Sequence, residues 1–376
     1  MTKRCSKPVR SIPQWLAFAF ACLPLAGCNP TGFNPFVDLP AVAMDGVGRL
    51  MEYDVAPLGD LATGQVIRVK VEGLGAQAVL ILAADTENDD AGVLAGGGQT
   101  AMAFDYRVQV AGRYYVYVLF DPAASADERR ATLTVSPGDP NYHPPQKQIV
   151  RVVFEDGYLT NPGLVDPTSF TQDEIQLLAG ISDQVRQQVI ERLGTIYTGT
   201  PIEIVTTDDP LPTGPYSVLT YTGRRKEPAA GDFFDVAVPP LLPEHPECQD
   251  RVIFGEVLDS ALQVDAGNRM QSDRAAVYVG SFQGRGASCR TAATDSVNNI
   301  VLGLTHTGAH EIGHLVGLFH VSLTDIMNRS PSLAFQRELS FQPGQVLIET
   351  ATDPFVLTSV IQDPAFYFGA NFDPAP

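Results

Sequence analysis

His310-Glu311-Ile312-Gly313-His314-Leu315-Val316-Gly317-Leu318-Phe319-His320 is the stretch on which the reading of the whole chain turns. An α-helix advances 100° per residue, so His310 and His314 lie about 40° apart and one turn along the axis, where both imidazoles reach one metal ion. On the same straight helix, His320 would sit roughly 9 Å beyond His314 and off that face. Gly317 removes the obstacle, because a glycine takes φ > 0, ends the helix and lets the chain swing back toward the ion. Three neutral imidazoles leave a tetrahedral Zn²⁺ with one open position, as in catalytic zinc sites. Glu311 points about 100° away from His310, outside the ligand set and beside that open position. There a carboxylate takes a proton from a water that the metal acidifies and returns it to a leaving amine, which is the chemistry of peptide-bond hydrolysis. With 6 His and 33 Gly in 376 residues, these four positions would coincide by chance in roughly one chain in ten thousand. A plain core helix is a poor explanation.

Seven residues past His320, Asp325-Ile326-Met327-Asn328 follows. The combined pattern resembles the metzincin zinc metalloproteases, whose three-His run is followed by a Met-turn beneath the metal. Asp-Ile-Met preceded by Thr324 is most similar to the matrixin branch and its bacterial relatives. The resemblance implies an α/β (α+β) catalytic domain with a mixed twisted sheet and a long active-site helix. It assigns His310, His314 and His320 as zinc ligands, Glu311 as acid/base, and Met327 as the floor of the site. It also implies an antiparallel edge strand at Val252 to Leu258, along which a peptide substrate lies extended. Asn328 to Leu339 would shape the pocket for the residue after the scissile bond, and a third helix would fall at Ser332 to Leu339. No Tyr follows Met327 where astacin-like and serralysin-like members supply a further ligand, so none is expected. Nor does any cysteine other than Cys28 stand ahead of the domain as a latency switch once the first 27 residues are removed.

The remaining histidines read more plainly. His306 lies one turn before His310 but is followed by Thr307, and it is read as a surface or supporting residue. His143 and His245 stand in Pro-rich loops and are read as solvated. Asp325 is expected to hydrogen-bond within its turn or to a ligand imidazole.

Upstream, residues 146–345 show alternating elements. Strands are expected at Gln148 to Glu155, Ile202 to Thr206, Ser217 to Thr222, Val252 to Leu258 and Ala275 to Phe282. Ile175, Leu178, Ile181, Val185, Val189, Ile190 and Leu193 have helical spacing, so Thr171 to Leu193 is a helix with Gly194 as its stop. The second helix begins near Asp295 or Ser296. That order argues an α/β sheet with a helix packed on it. The loop from Gly223 to Asp250 is longer than a matrixin-like core needs, and residues 346–376 read as a C-terminal extension.

Residues 46–137 carry short β-type runs instead: Gln65 to Glu72, Ala78 to Ala84, Thr100 to Val110, Tyr114 to Phe120 and Thr132 to Ser136. Ile67, Val69 and Val71 alternate with Arg68, Lys70 and Glu72, the pattern of a half-buried strand. A small all-β sandwich is expected to precede the catalytic domain. Its Ala111-to-Val118 run resembles the last hairpin of the pre-peptidase-type sandwiches found with secreted bacterial proteases. Asp85 to Asp90 offers oxygen ligands that suit Ca²⁺, although a solvated turn accounts for it equally. Ser136-Pro137-Gly138-Asp139-Pro140 and Pro144-Pro145 mark the boundary between the two units.

The N-terminus opens with Lys3, Arg4, Lys7 and Arg10, an apolar run from Ile12 to Ala26, and Leu25-Ala26-Gly27-Cys28. This is a secretory signal over 1–27, too short and too interrupted by proline to span a bilayer permanently. Leu-Ala-Gly-Cys resembles the lipobox of bacterial lipoproteins, which implies a lipidated Cys28, a tether over 28–45 and a place in the cell envelope. Cleavage leaves 349 residues, and because the signal holds four of the 25 Lys+Arg and none of the 43 Asp+Glu, the remainder carries −22. So acidic a body has no electrostatic attraction to nucleic acid. Membrane contact is expected through the lipid alone, and the partner at the site is a protein or peptide substrate. Cys248 and Cys289 remain as one candidate disulfide, worth about 4 kcal/mol by loop closure, or as two buried thiols. A different class of function is a surface binding lipoprotein whose sandwich holds a glycan or protein and whose metal site is vestigial.

Overall fold

A computed structural model describes residues 49–51, 55–72, 76–84, 91–97, 101–120, 130–160, 171–226, 253–259, 264–265, 268, 270–282, 296–321, 325–328, 337–348 and 356–373. The described chain is mixed α and β. Its elements are β1 (Arg49–Met51), β2 (Val55–Leu61), β3 (Val66–Glu72), β4 (Ala76–Ala84), β5 (Ala91–Gly97), β6 (Ala101–Arg107), β7 (Gly112–Phe120), β8 (Ala131–Pro137), β9 (Gln148–Phe154), α1 (Gln172–Ile196), β10 (Ile202–Thr206), β11 (Ser217–Thr222), β12 (Gly255–Val257), β13 (Arg274–Tyr278), α2 (Val297–Leu315), β14 (Gly344–Ile348), β15 (Val356–Gln362) and α3 (Pro364–Asn371). No helix among the described residues is long and apolar enough to cross a membrane.

The first eight strands form two four-stranded antiparallel sheets, ordered β1-β8-β3-β6 and β2-β7-β4-β5. Alternation places Ile67, Val69 and Val71 of β3 and Ala131, Leu133 and Val135 of β8 fully inside, while their neighbours face outward. Three strands exceed the sequence reading. β2 contains Pro57 and Gly59, where its register shifts, and β5 is Ala-Gly-Val-Leu-Ala-Gly-Gly, so both look like turns in composition; β1 is only three residues long. The Ala111-to-Val118 run is no terminal hairpin: β7 pairs with β2 and β4, while β8 lies in the other sheet.

The second unit is built on a five-stranded sheet, β10-β9-β11-β13-β12. β9 pairs in parallel with β10 and β11, β11 with β13, and only β12, at the edge, runs antiparallel. Val150 and Val152 of β9 and Leu219 and Tyr221 of β11 are buried beneath the helices. α1 starts at a capping box, Thr171 receiving the Glu174 N–H while the Glu174 carboxylate receives the Thr171 N–H, and it buries Leu178, Val185, Val189 and Leu193. It continues through Gly194 to Ile196, past the expected stop, because the turn beyond is held from outside: the Tyr197 hydroxyl donates to Ala309 O of α2 at 2.6 Å. The expected last strand also shortens, Val279–Phe282 forming a 3-10 turn after β13.

The described part of 346–376 packs into the fold. β14 begins at Gly344 and pairs with β15, and Tyr367, Phe368 and Phe372 of the α3 region are buried in the main core. Asp373 then ties this segment to the sandwich side: its backbone N–H donates to Pro145 O, and its carboxylate receives Gln109 Nε2 at 2.7 Å and lies 2.8 Å from His143 Nδ1. The expected helix at Ser332 to Leu339 lies mostly outside the described residues, and 337–339 are not helical.

Candidate metal centre

α2 is capped by Ser296, whose hydroxyl accepts from Asn299 N at 3.1 Å, and it is buried on nearly every side. A helix apolar all round belongs in a core, so its position is set by its neighbours on all faces. It ends in a Schellman motif: Leu318 N donates to Gly313 O at 2.8 Å and Gly317 N to His314 O at 3.1 Å, with Gly317 at φ 99°. This is the reversal expected from Gly317, and it returns the chain to the helix face that carries His310 and His314.

Three imidazoles meet there. The Nε2 atoms of His310 and His314 are 2.9 Å apart, those of His310 and His320 2.9 Å, and those of His314 and His320 3.2 Å. His310 Nδ1 lies 2.7 Å from Ile326 O, and His314 Nδ1 lies 2.7 Å from Leu318 O. A carbonyl only accepts, so both Nδ1 atoms carry the hydrogen and both Nε2 atoms are lone pairs aimed at the shared point. Burial first, and the neighbouring imidazoles next, press His310 down to about 3 and His314 well below its ordinary value. Neutral rings with facing lone pairs repel one another unless a cation lies between them. Tetrahedral zinc with nitrogen ligands at about 2.05 Å would separate those nitrogens by about 3.3 Å, close to the spacing observed. The residues fit a metal ion, and they form a metal-competent cluster among the described residues.

Met327 is fully buried against this helix. A Cβ built on Gly313 would stand 2.4 Å from its Sδ, so the bare glycine between the two helical histidines admits the methionine. Met327 O also accepts from Val321 N, next to His320, at 3.0 Å. Asp325 supports the same turn. Burial pushes its carboxyl up to about 6, against hydrogen bonds from Gln342, Met327 and Asn328, and its Oδ2 receives the Gln342 N–H at 3.1 Å.

Glu311 is buried under the edge strand. A Cβ on Gly255 would lie 2.4 Å from its Oε1 and 2.7 Å from its Cδ, so β12 passes directly over the carboxyl. Its Oε2 has no hydrogen-bond partner among the described residues. With protein groups alone around it, burial, then the Glu256 carboxylate, raise its proton affinity well above that of an ordinary carboxyl. An orphaned buried oxygen of this kind is unusual in a folded core and points to a further partner, such as water or an ion.

His306 is 2% exposed, and its Nε2 accepts from Leu339 N at 3.2 Å, so of its two readings the surface one falls. His143 stands at the domain junction rather than at the site. The 1–27 signal, Cys28 and the whole 28–45 tether, Asp85 to Asp90, His245, Cys248 and Cys289 lie outside the described residues. Gly255 lies against Glu311, Gly313 against Met327, and Gln362 bonds Phe319 beside His320; the sequence reading singled out none of them, and only the edge strand expected at Val252 to Leu258 contained the first. Compared with known proteins, the chain matches no family model and no curated protein.

Proposed function

We propose that the chain is a zinc-dependent endopeptidase of metzincin type, similar to the matrixin branch, in which His310, His314 and His320 hold Zn²⁺. The observation that carries the reading is the convergence of three Nε2 atoms, with the Nδ1 hydrogens of His310 and His314 bound to carbonyls. Zinc bound there supplies Lewis acidity, lowering the pKa of a water and polarising a carbonyl oxygen.

The protein groups divide the remaining work. Phe254 O accepts from Tyr278 N, and Leu258 N donates to Arg274 O, so by alternation the backbone groups of Gly255 and Val257 point away from β13. An extended peptide adds there as a further strand, and its backbone passes beside Glu311. Because that carboxyl is desolvated, it is a stronger base than an exposed one, suited to take a proton from water and pass it to the leaving amine. Met327 sets the floor. Secretion and lipidation at Cys28 would place the enzyme on a membrane of the cell envelope, acting on proteins within reach of its tether.

Measured zinc content and cleavage of an unfolded protein substrate test the reading together. The parent should hold one zinc and cleave; Glu311→Gln should keep the zinc and lose nearly all hydrolysis. Cleavage retained by that variant, or a parent without zinc, overturns it.

A further inference from the structure

His320 is the one ligand that no regular element carries. It lies on the stretch from Gly317 to Val321, after the helix has ended. Most backbone groups of that stretch are met locally: Gly317 N and Leu318 N close the helix end, Leu318 O receives His314 Nδ1, and Val321 N donates to Met327 O. Phe319, immediately before His320, is different. Its N–H donates to Gln362 Oε1 at 2.7 Å, and its carbonyl receives Gln362 Nε2 at 3.0 Å. One side chain, 0% exposed, thus closes both groups in the manner of a strand partner.

Gln362 is itself held firmly, as the last residue of β15 paired with Gly344. Gly344 sits against Val321, where an added Cβ would meet Val321 Cβ at 2.9 Å, and Val321 makes an antiparallel bridge to Val346. The hairpin therefore grips the chain on both sides of His320, through Phe319 before it and Val321 after it. Just beyond, the Tyr367 hydroxyl donates to Val316 O at 2.7 Å.

We propose that Gln362 is a positioning residue for the metal centre, its carboxamide fixing the Phe319 backbone so that the His320 imidazole stays aimed at the ion. The inference rests on reading His320 as a metal ligand. An amide suits the task because it presents one acceptor and one donor in a plane, matching the N–H and C=O of a single residue. Groups that orient a ligand from behind typically change metal affinity by 10- to 100-fold when removed.

Gln362→Met keeps the side-chain length and apolar packing and removes both bonds. In the full-length protein it should weaken Zn²⁺ binding roughly 10- to 100-fold in chelator competition and alter the visible absorption bands of the Co²⁺-substituted form. Tyr158→Phe, which loses a hydroxyl bond to Ser182 O away from the centre, should leave both readouts at parental values. Should Gln362→Met fail to fold, Gln362→Glu, which keeps the acceptor toward Phe319 N, carries the same expectation with a smaller loss. Parental zinc affinity and an unchanged cobalt spectrum in a folded Gln362 variant overturn the proposal, as does an equal effect of Tyr158→Phe. A His320→Ala variant that binds zinc as tightly as the parent would instead overturn the three-histidine reading.

Discussion

Gly255→Ala probes the relation between the edge strand and Glu311, the carboxyl proposed as acid/base, without touching a histidine of the cluster. The backbone at Gly255 has an ordinary negative φ, so alanine brings no conformational strain and the effect is one of space. The new methyl would stand 2.4 Å from Glu311 Oε1 and 2.7 Å from Cδ and Cγ, where ordinary contact begins near 3.4 Å. Either the carboxyl or the strand must therefore shift by about 1 Å, and a misplacement of that size at a reacting centre costs about 100-fold in rate, or about 2.7 kcal/mol of barrier. Overpacking should also lower folding stability by about 1 to 3 kcal/mol. Zinc content, turnover of a quenched peptide and thermal unfolding measured on one preparation separate these effects. The expected result is full zinc, a modest loss of stability and turnover reduced about 100-fold, nearing the floor set by Glu311→Gln. Parental turnover in a folded, zinc-loaded Gly255→Ala protein would refute the placement of Glu311 as the base beneath β12.

Two further outcomes follow from groups away from the carboxyl. Asp273 is buried beside Ser217, whose hydroxyl donates to its Oδ1, while Gln148 Nε2 donates to the Ser217 oxygen at 2.8 Å. Burial, reinforced by the Asp265 carboxylate, pushes Asp273 up to about 7, above its ordinary 3.8. The folded state thus holds that proton more tightly than the unfolded chain, so this group's contribution is complete below pH 4 and is lost as pH rises to 7, by at most about 4 kcal/mol. Asp273→Asn should be more stable than the parent at pH 8, with the gap closing toward pH 4 in paired denaturant titrations; a gap independent of pH would contradict it. Chelation should lower the unfolding temperature in proportion to zinc affinity and raise hydrogen exchange in 316–328 before the sandwich, since the three rings then face one another with nothing to hold them; uniform exchange would argue that the cluster binds no ion.

What the sequence disclosed is what short-range geometry determines. The convergence of the two helical histidines, the turn at Gly317 and the return of His320 follow from helix pitch and the freedom of one glycine, and they span eleven residues. The β3 alternation was equally legible, because one face meets a core and the other meets water. The reading faltered where distant residues decide the outcome. Gly194 looked like a stop, yet α1 runs past it, and the turn that follows is secured by the Tyr197 hydroxyl bonding Ala309 O of α2, 112 residues away. Gln362 lies 43 residues from Phe319, in a segment read only as a C-terminal extension. β2 and β5 were hidden by Pro and Gly that a strand tolerates at an edge or a register shift.

The close approaches to α2 share a logic that bears on how accurately its two histidines are held. An alanine Cβ at Gly308 would lie 1.9 Å from the Tyr221 hydroxyl, which donates to Leu304 O at 3.1 Å, and one at Gly313 would collide with Met327 Sδ. Between these two contacts, the Glu311 side chain lies against bare backbone at Gly255. Sheet, Met-turn and edge strand thus bear on the helix within six residues, all at positions where a side chain is missing. An imidazole nitrogen lies roughly 6 Å from a helix axis, so a rotation of about 20° would carry it about 2 Å, enough to break a bond to an ion held at about 2 Å. Contacts at bare backbone leave less slack than contacts through flexible side chains, because close-packed interiors yield little. The glycines around His310 and His314 are therefore best understood as devices that fix the rotation of α2, with the position of His320 left to the Met-turn and the C-terminal hairpin.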